Sequence, residues 1–328
     1  MRVFVTGIDS FVGRHLVDRL VLGGHAVSGS SLDPAGMVEG AERVVSCDVR
    51  DGDRVARVLR EARPEAVVHL AGQTSVAVSF RSPAETFAIN AGGALNVLEA
   101  CREGGIGRVL LVTSCEVYGR PDSAAGPVSE TAALAPISPY GASKAAQDIL
   151  GGQYRRGLGV PVIRVRSFPH TGPGQAAHFL FPSVARRIAL AEEGRGPEVI
   201  QVGRIDVIRD LLDVRDVVEA YAGLLERDVE GDVFNVCGGE GRSLGSGLEM
   251  LCNLARRPVR LETDPQRLRP ADFDWMVGDP GRLRAALGWR PRRRWEETMG
   301  DLLADSRARV AAGAETETAV KHAEGLQR

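Results

Sequence analysis

Seven short runs of apolar, mostly β-branched residues recur through the first 240 positions, each followed by enough chain for a crossover. Arg2–Thr6, Ala26–Gly29, Arg43–Cys47, Ala66–Leu70, Arg108–Thr113, Val160–Val165 and Val233–Val236 read as strands. Between them, Phe11–Leu22, Arg54–Ala62, Pro83–Glu103 and Pro139–Arg156 carry apolar residues at helical spacing. Continuous apolar strands such as Ala66-Val67-Val68-His69-Leu70 suit a parallel sheet covered on both faces. The alternation predicts an α/β fold with a Rossmann-type doubly wound parallel sheet.

The first strand hands over to the first helix through Thr6-Gly7-Ile8-Asp9-Ser10-Phe11-Val12-Gly13. Helix N-terminal N–H groups and the helix dipole favour a pyrophosphate at such a junction, and glycine lets the backbone turn tightly and approach it. Gly7 and Gly13 fit a TGxxGxxG turn, but Ser10 stands at the middle glycine and Asp9 brings a carboxylate near. A plain βα turn is the alternative reading. The expected cofactor-facing set is Gly7, Ser10, Phe11, Val12, Gly13, Ser31, Asp48, Val49, Leu70 and Ala71, with Tyr140 and Lys144. An acid closing the second strand would favour NAD; that strand ends Gly29-Ser30-Ser31, and Asp33 comes two residues later. The expected cofactor is therefore NAD(P)(H), leaning to NADP(H). Asp48 either meets the adenine amino group or caps the helix that begins near Asp51.

After about residue 166 the rhythm loosens and Pro, Gly and Arg increase. The expected division is 1–166 plus about 206–239 for the dinucleotide-binding domain. About 167–205 plus 240–310 would form a smaller mixed α/β C-terminal substrate lobe. The tail at 311–328, rich in Ala, Glu and Thr, is expected to be disordered.

Tyr140-Gly141-Ala142-Ser143-Lys144 carries the chemistry. Pro139 suits a helix start, which sets Tyr140 and Lys144 one turn apart on one face. An ammonium there is expected to lower the tyrosine pKa and make it an acid/base for a carbinol or carbonyl oxygen. Ser114 follows the fifth strand, at the sheet edge where open α/β folds bind ligands. An incidental YxxxK is the alternative for the pair alone.

These residues, with His69–Gly72, the stretch from Asn90 to Ala100 and Thr113–Gly119, resemble the extended short-chain dehydrogenase/reductase family over about residues 1–305. Arg166–Gln175, Arg209–Val217, Phe234–Cys237 and Asp264–Asp272 are similar to the GDP-4-keto-6-deoxymannose reductases, and in part to the GDP-mannose 4,6-dehydratases. The resemblance implies a Ser114–Tyr140–Lys144 catalytic set. It also implies a GDP-linked sugar substrate whose diphosphate Arg209 and Arg269 hold, with His170 and Glu116 at the substrate. Helices near 83–103 and 139–156 imply a homodimer. Pro169 and Arg204 depart from the subgroup, each standing where asparagine is expected. Reduction of a C4 keto group is the leading expectation. A 4,6-dehydratase using Glu116, with Cys115 a poor match for its acid, and a C4 epimerase are the alternatives. A family member without cofactor, serving as a binding protein, is the alternative of another class.

Lys plus Arg is 41 against 43 for Asp plus Glu, giving a net charge of −2, so neither nucleic acid nor an anionic membrane is expected as partner. No run reaches the roughly 18 apolar residues of a spanning helix. The N-terminus opens on a strand pattern rather than a signal-peptide layout. Cys47, Cys101, Cys115, Cys237 and Cys252 are scattered and form no CxxC, so no metal site and no disulfide framework are expected. A reduced, cytoplasmic protein is the expectation.

Overall fold

The computed structural model describes residues 1–33, 37–264 and 273–313. Arg269, and the expectation of disorder over 314–328, lie outside the described residues. The chain divides into two compact units.

The first unit comprises Met1–Pro169, Asp210–Gly241 and Trp275–Pro291. In chain order the elements to residue 167 are β1 (Arg2–Thr6), α1 (Phe11–Leu22), β2 (Ala26–Ser31), β3 (Arg43–Ser46), α2 (Gly52–Ala62) and β4 (Ala66–His69). Next come α3 (Val76–Arg81), α4 (Pro83–Phe87), α5 (Gly93–Glu103), β5 (Arg108–Ser114), α6 (Pro139–Leu158) and β6 (Val162–Ser167). Short strands β7 (His170–Thr171), β9 (Ile208–Asp210) and β10 (Leu212–Asp213) flank α7 (Leu180–Glu192) and β8 (Val199–Val202). Then follow α8 (Val214–Glu226), β11 (Val233–Val236), β12 (Gly241–Ser243), α9 (Leu244–Asn253), β13 (Arg260–Thr263), β14 (Trp275–Met276), α10 (Gly281–Leu287) and α11 (Trp295–Ala311).

Seven strands form one parallel sheet in the order β11-β6-β5-β4-β1-β2-β3. The order reverses at β1, between β4 and β2, which opens a crevice beyond the strands' C-terminal ends. Successive residues of β1 feed opposite faces. Val3 and Val5 pack with Leu16 and Leu20 of α1 and Leu224 of α8, while Phe4 packs with Leu59 of α2 and Val97 and Leu98 of α5. Both faces are dry at β1 and β4, which is why these two strands carry apolar runs rather than an alternating pattern.

The sequence reading differs from the structure in identifiable places. β2 runs two residues further, to Ser31, and β5 one further, to Ser114. The helix expected at Pro83–Glu103 is interrupted by a π-turn at Ala88–Gly92. Trp275–Pro291 belongs to the first unit, not to the smaller lobe, because Leu283 of α10 is buried in the core that holds Leu224 and Phe234.

The second unit comprises His170–Arg209, Arg242–Asp274 and the chain from Arg292. Here α7, α9 and α11 pack together. They bury Val184 and Ile188 of α7, Leu248 and Leu251 of α9, and Leu302 and Leu303 of α11. The Phe181 and Trp295 rings meet edge to face at 5.6 Å, and Arg307 grips Glu192 through bonds of 2.7 and 2.8 Å. β8 and β13 pair in parallel. Among the described residues no helix is long and apolar enough to cross a membrane.

Candidate active site

The glycine-rich turn connects β1 to α1. Gly7 holds φ +69°, a conformation that disfavours any side chain. A Cβ at Gly13 would lie 2.4 Å from the Ile8 carbonyl oxygen and 2.6 Å from that of Gly7, so only glycine lets the helix sit this close to the turn. Ser10 needs no glycine, because its backbone is extended (φ −64°, ψ 164°) and its Oγ accepts from the Gly13 N–H as the helix N-cap. The departure at Ser10 thus keeps the turn intact. The N-terminus of a helix points N–H groups and the positive end of its dipole outward, the arrangement an anionic diphosphate fits.

Around this turn, the ends of β2, β3 and β4 carry the rest of the expected cofactor set. Ser31 is buried and its Oγ accepts from the Asp33 N–H. Asp48 does not cap α2; Asp51 does, accepting from the Arg54 N–H. The Asp48 carboxylate is instead clasped by Arg50 through both oxygens, 2.6 to 3.1 Å, which holds it below the usual carboxylate range. Val49 is buried against Gly93. The Leu70 and Ala71 N–H groups donate to the Thr6 carbonyl oxygen and hydroxyl, fixing the β4 end beside the β1 turn.

Ser138 caps α6 through the Gly141 N–H, and Pro139 opens the helix. Tyr140, Ser143 and Lys144 are all buried on it. Ser114, last residue of β5, accepts from the Glu116 N–H at 3.2 Å and stands near enough to Tyr140 to act on its phenol. The expectation that Lys144 lowers the Tyr140 pKa is not met. Burial pushes the phenol well above its ordinary value; the Ser114 hydroxyl offsets part of that, and the Glu116 carboxylate adds to it. The Lys144 ammonium is engaged elsewhere, donating to the Val112 carbonyl oxygen at 3.2 Å and to Gln147 Oε1 at 2.9 Å. Burial pushes its pKa down to about 8.

Three residues without an assigned role complete the site. Asn90, in the π-turn, is fully buried; its Oδ1 accepts from the Gln73 N–H, and its Nδ2 donates to the Gln73 carbonyl and to Ser143 Oγ. His69 is fully buried with Nδ1 2.8 Å from Thr6 Oγ1. Burial, then the Lys144 charge, push its pKa down to about 3. Gln147 lies one turn beyond Lys144 and is completely buried. The signal for Asn90 and Gln147 was a polar residue on an inward helix face.

The structure brings Ser114, Glu116, Tyr140 and Lys144 together in the first unit, with the glycine-rich turn at the same sheet edge. His170 and Arg209 belong to the second unit. His170 is half-buried, and its carbonyl accepts from Gln175. Arg209 lies 4.3 Å over the Phe273 ring and donates to the Ile208 and Phe273 carbonyls at 2.8 Å each. Arg204 pairs with Asp206 and Asp274. Among the described residues no cluster of His, Cys, Asp and Glu could hold a metal ion.

Residues 4–302 match the family model described as GDP-mannose 4,6 dehydratase. The chain is 36% identical to GDP-6-deoxy-D-mannose reductase of Pseudomonas aeruginosa, over 94% of this chain and 98% of that protein. The structure of RMD from Pseudomonas aeruginosa complexed with NADPH superposes with a TM-score of 0.83 at 36% identity, covering 94% of this chain and 99% of that one. Thermus thermophilus UDP-glucose 4-epimerase, in complex with NAD, gives 0.84 at 32% identity over 94% and 99%.

Proposed function

This chain belongs to the GDP-mannose 4,6 dehydratase family, and from that premise we propose that it reduces the C4 keto group of a GDP-linked 4-keto-6-deoxyhexose. The cofactor is NAD(P)H, with NADPH favoured by the serines, rather than an acid, closing β2. A bound nicotinamide supplies the hydride to the carbonyl carbon. Everything else falls to the protein.

The observation that carries this reading is the buried Ser114–Tyr140 pair beside Lys144. A phenol held above its ordinary pKa is protonated at neutral pH. In that form it can donate to the carbonyl oxygen, the reductive direction, with burial making it a weaker acid than a free phenol. Ser114 orients that oxygen against Tyr140. Lys144, still mostly protonated at pH 7, would hold the nicotinamide ribose with the N–H that Val112 and Gln147 leave over. Gly7, Ser10, Phe11, Val12 and Gly13 would receive the cofactor diphosphate, and Ser31, Asp48, Val49, Leu70 and Ala71 its adenosine and neighbouring groups. Arg209 and Arg269 would hold the substrate diphosphate by guanidinium–phosphate pairing, with His170 and Glu116 at the sugar.

Dehydration is the second reading, favoured by Glu116, whose carboxylate is near enough to act on the Tyr140 pKa. It needs an acid for the departing 6-hydroxyl, and the residue beside Ser114 is Cys115, 3% exposed.

A homodimer fits the same reading. Phe80, Phe87, Leu95 and Ile149 are exposed on the adjoining helices α3 to α6. Exposed apolar residues on helices that pack against one another would suit a second copy. Five cysteines, none in a disulfide, fit a reducing cytoplasm. The reading is tested with NADPH deuterated at nicotinamide C4. Reduction places deuterium on C4 of the product sugar, whereas a product lacking it excludes the reductase reading.

A further inference from the structure

Lys144 is the one cation the proposed chemistry needs at a fixed point, yet its side chain is long and flexible. The structure shows what restrains it. Gln147 is completely buried, and both ends of its carboxamide are engaged. Oε1 accepts from Lys144 Nζ at 2.9 Å, and Nε2 donates to the Val112 carbonyl oxygen at 3.2 Å. That same carbonyl accepts from Lys144 Nζ at 3.2 Å. The carboxamide orientation is set by chemistry: flipping it would turn an NH₂ toward the ammonium and a carbonyl toward a carbonyl.

We propose that Gln147 is the positioning residue of Lys144, clamping its ammonium to the strand that carries Ser114. Val112 lies two residues before Ser114 on β5, so the Lys144–Gln147–Val112 triangle joins the catalytic helix to that strand just below the catalytic serine. An ammonium has three donors. Two go to the triangle, which leaves the third for a partner at the open sheet edge. This rests on the reductase reading only for its benefit to turnover; the clamp itself is a property of the protein alone.

The other titratable groups near Lys144 do not supply this restraint. His69, at the end of β4, is kept neutral by burial and by the Lys144 charge. Tyr140, one turn back on α6, is kept protonated. Asp148, the next residue after Gln147, is committed to Arg164 and Arg166. Glu116 acts on Tyr140.

The test reads Lys144 directly, without cofactor or substrate. Lysine labelled with ¹³C at Cε is titrated by NMR in the full chain, and Lys144→Arg identifies the signal. The wild-type midpoint is expected near 8. Gln147→Leu, similar in size but without an acceptor for the charged form, should lower it by about one unit, and Gln147→Glu should raise it by a similar amount. If the leucine variant does not fold, Gln147→Met serves the same arm. Unchanged midpoints in the folded variants overturn the proposal. Where keto-sugar reduction is measurable, Gln147→Leu should lose roughly tenfold or more in kcat with little change in the NADPH KM. A wild type with no reductase activity sinks the functional reading while leaving the NMR result to decide on Gln147.

Discussion

Asp148 and Arg166 meet through two bonds of 2.9 Å, one to each carboxylate oxygen, in a pocket that water does not reach. Asp148 lies one turn beyond Lys144 on α6, and Arg166 lies on β6. Arg164 adds a third bond at 2.8 Å, and Arg166 also reaches the Tyr118 hydroxyl. The pair locks α6 to β6, the strand beside the β11 edge of the sheet. Removing one partner of a buried ion pair strands the other's charge. Asp148→Ala should therefore cost about 3–5 kcal/mol in urea unfolding. A loss within 1 kcal/mol would show that the network is not an anchor.

Gly13→Ala is expected to disturb the turn rather than the core. Its new Cβ would meet backbone oxygens, which cannot rotate away. NADPH affinity, followed by fluorescence, should fall at least tenfold, about 1.4 kcal/mol. Ser10→Ala loses the N-cap bond and should destabilise the fold by about 1 kcal/mol.

Acid stability carries a sign that His69 sets. Its folded pKa, about 3, lies below the ordinary 6.5. Between those values the unfolded chain binds the proton that the folded protein refuses, so stability falls as pH drops through this window. Asp210, raised to about 6 by burial, works oppositely from about pH 4 to 6, where the folded state binds the extra proton. A folded His69→Phe variant should flatten the acid limb of stability against pH, and Asp210→Asn should steepen it. Parallel curves for wild type and His69→Phe would refute the assignment.

On the proposed role of Lys144, the reductive rate should be sensitive to base. Its pKa, pushed down to about 8, predicts a kcat that declines as pH rises through that value and the ammonium is lost. A profile flat from pH 7 to 9.5, with chemistry rate-limiting, would be inconsistent with an electrostatic role for Lys144.

The parallel sheet was legible because burial on both faces writes strands such as Ala66–His69 as unbroken apolar runs. Tyr140 and Lys144 were legible because one helical turn separates them. The π-turn at Ala88–Gly92 was not, since its bonding is set around buried Asn90 by Gln73 and Ser143, distant in sequence. The direction of the Tyr140 shift was missed for a related reason. Spacing sets the ammonium nearby, but only packing reveals that Lys144 turns to Gln147 and Val112 and that burial dominates. The place of α10 likewise depends on where Leu283 finds its core, which periodicity does not encode.

The central claim is that Tyr140 protonates a keto-sugar oxygen during reduction. Its most direct test is the 340 nm absorbance of NADPH mixed with GDP-4-keto-6-deoxymannose and either wild-type protein or Tyr140→Phe, with NADH in parallel. The account predicts steady loss with the wild type and a rate lower by roughly 10²–10⁴-fold in the variant. Equal rates in the two proteins, or no loss with either cofactor, would contradict it.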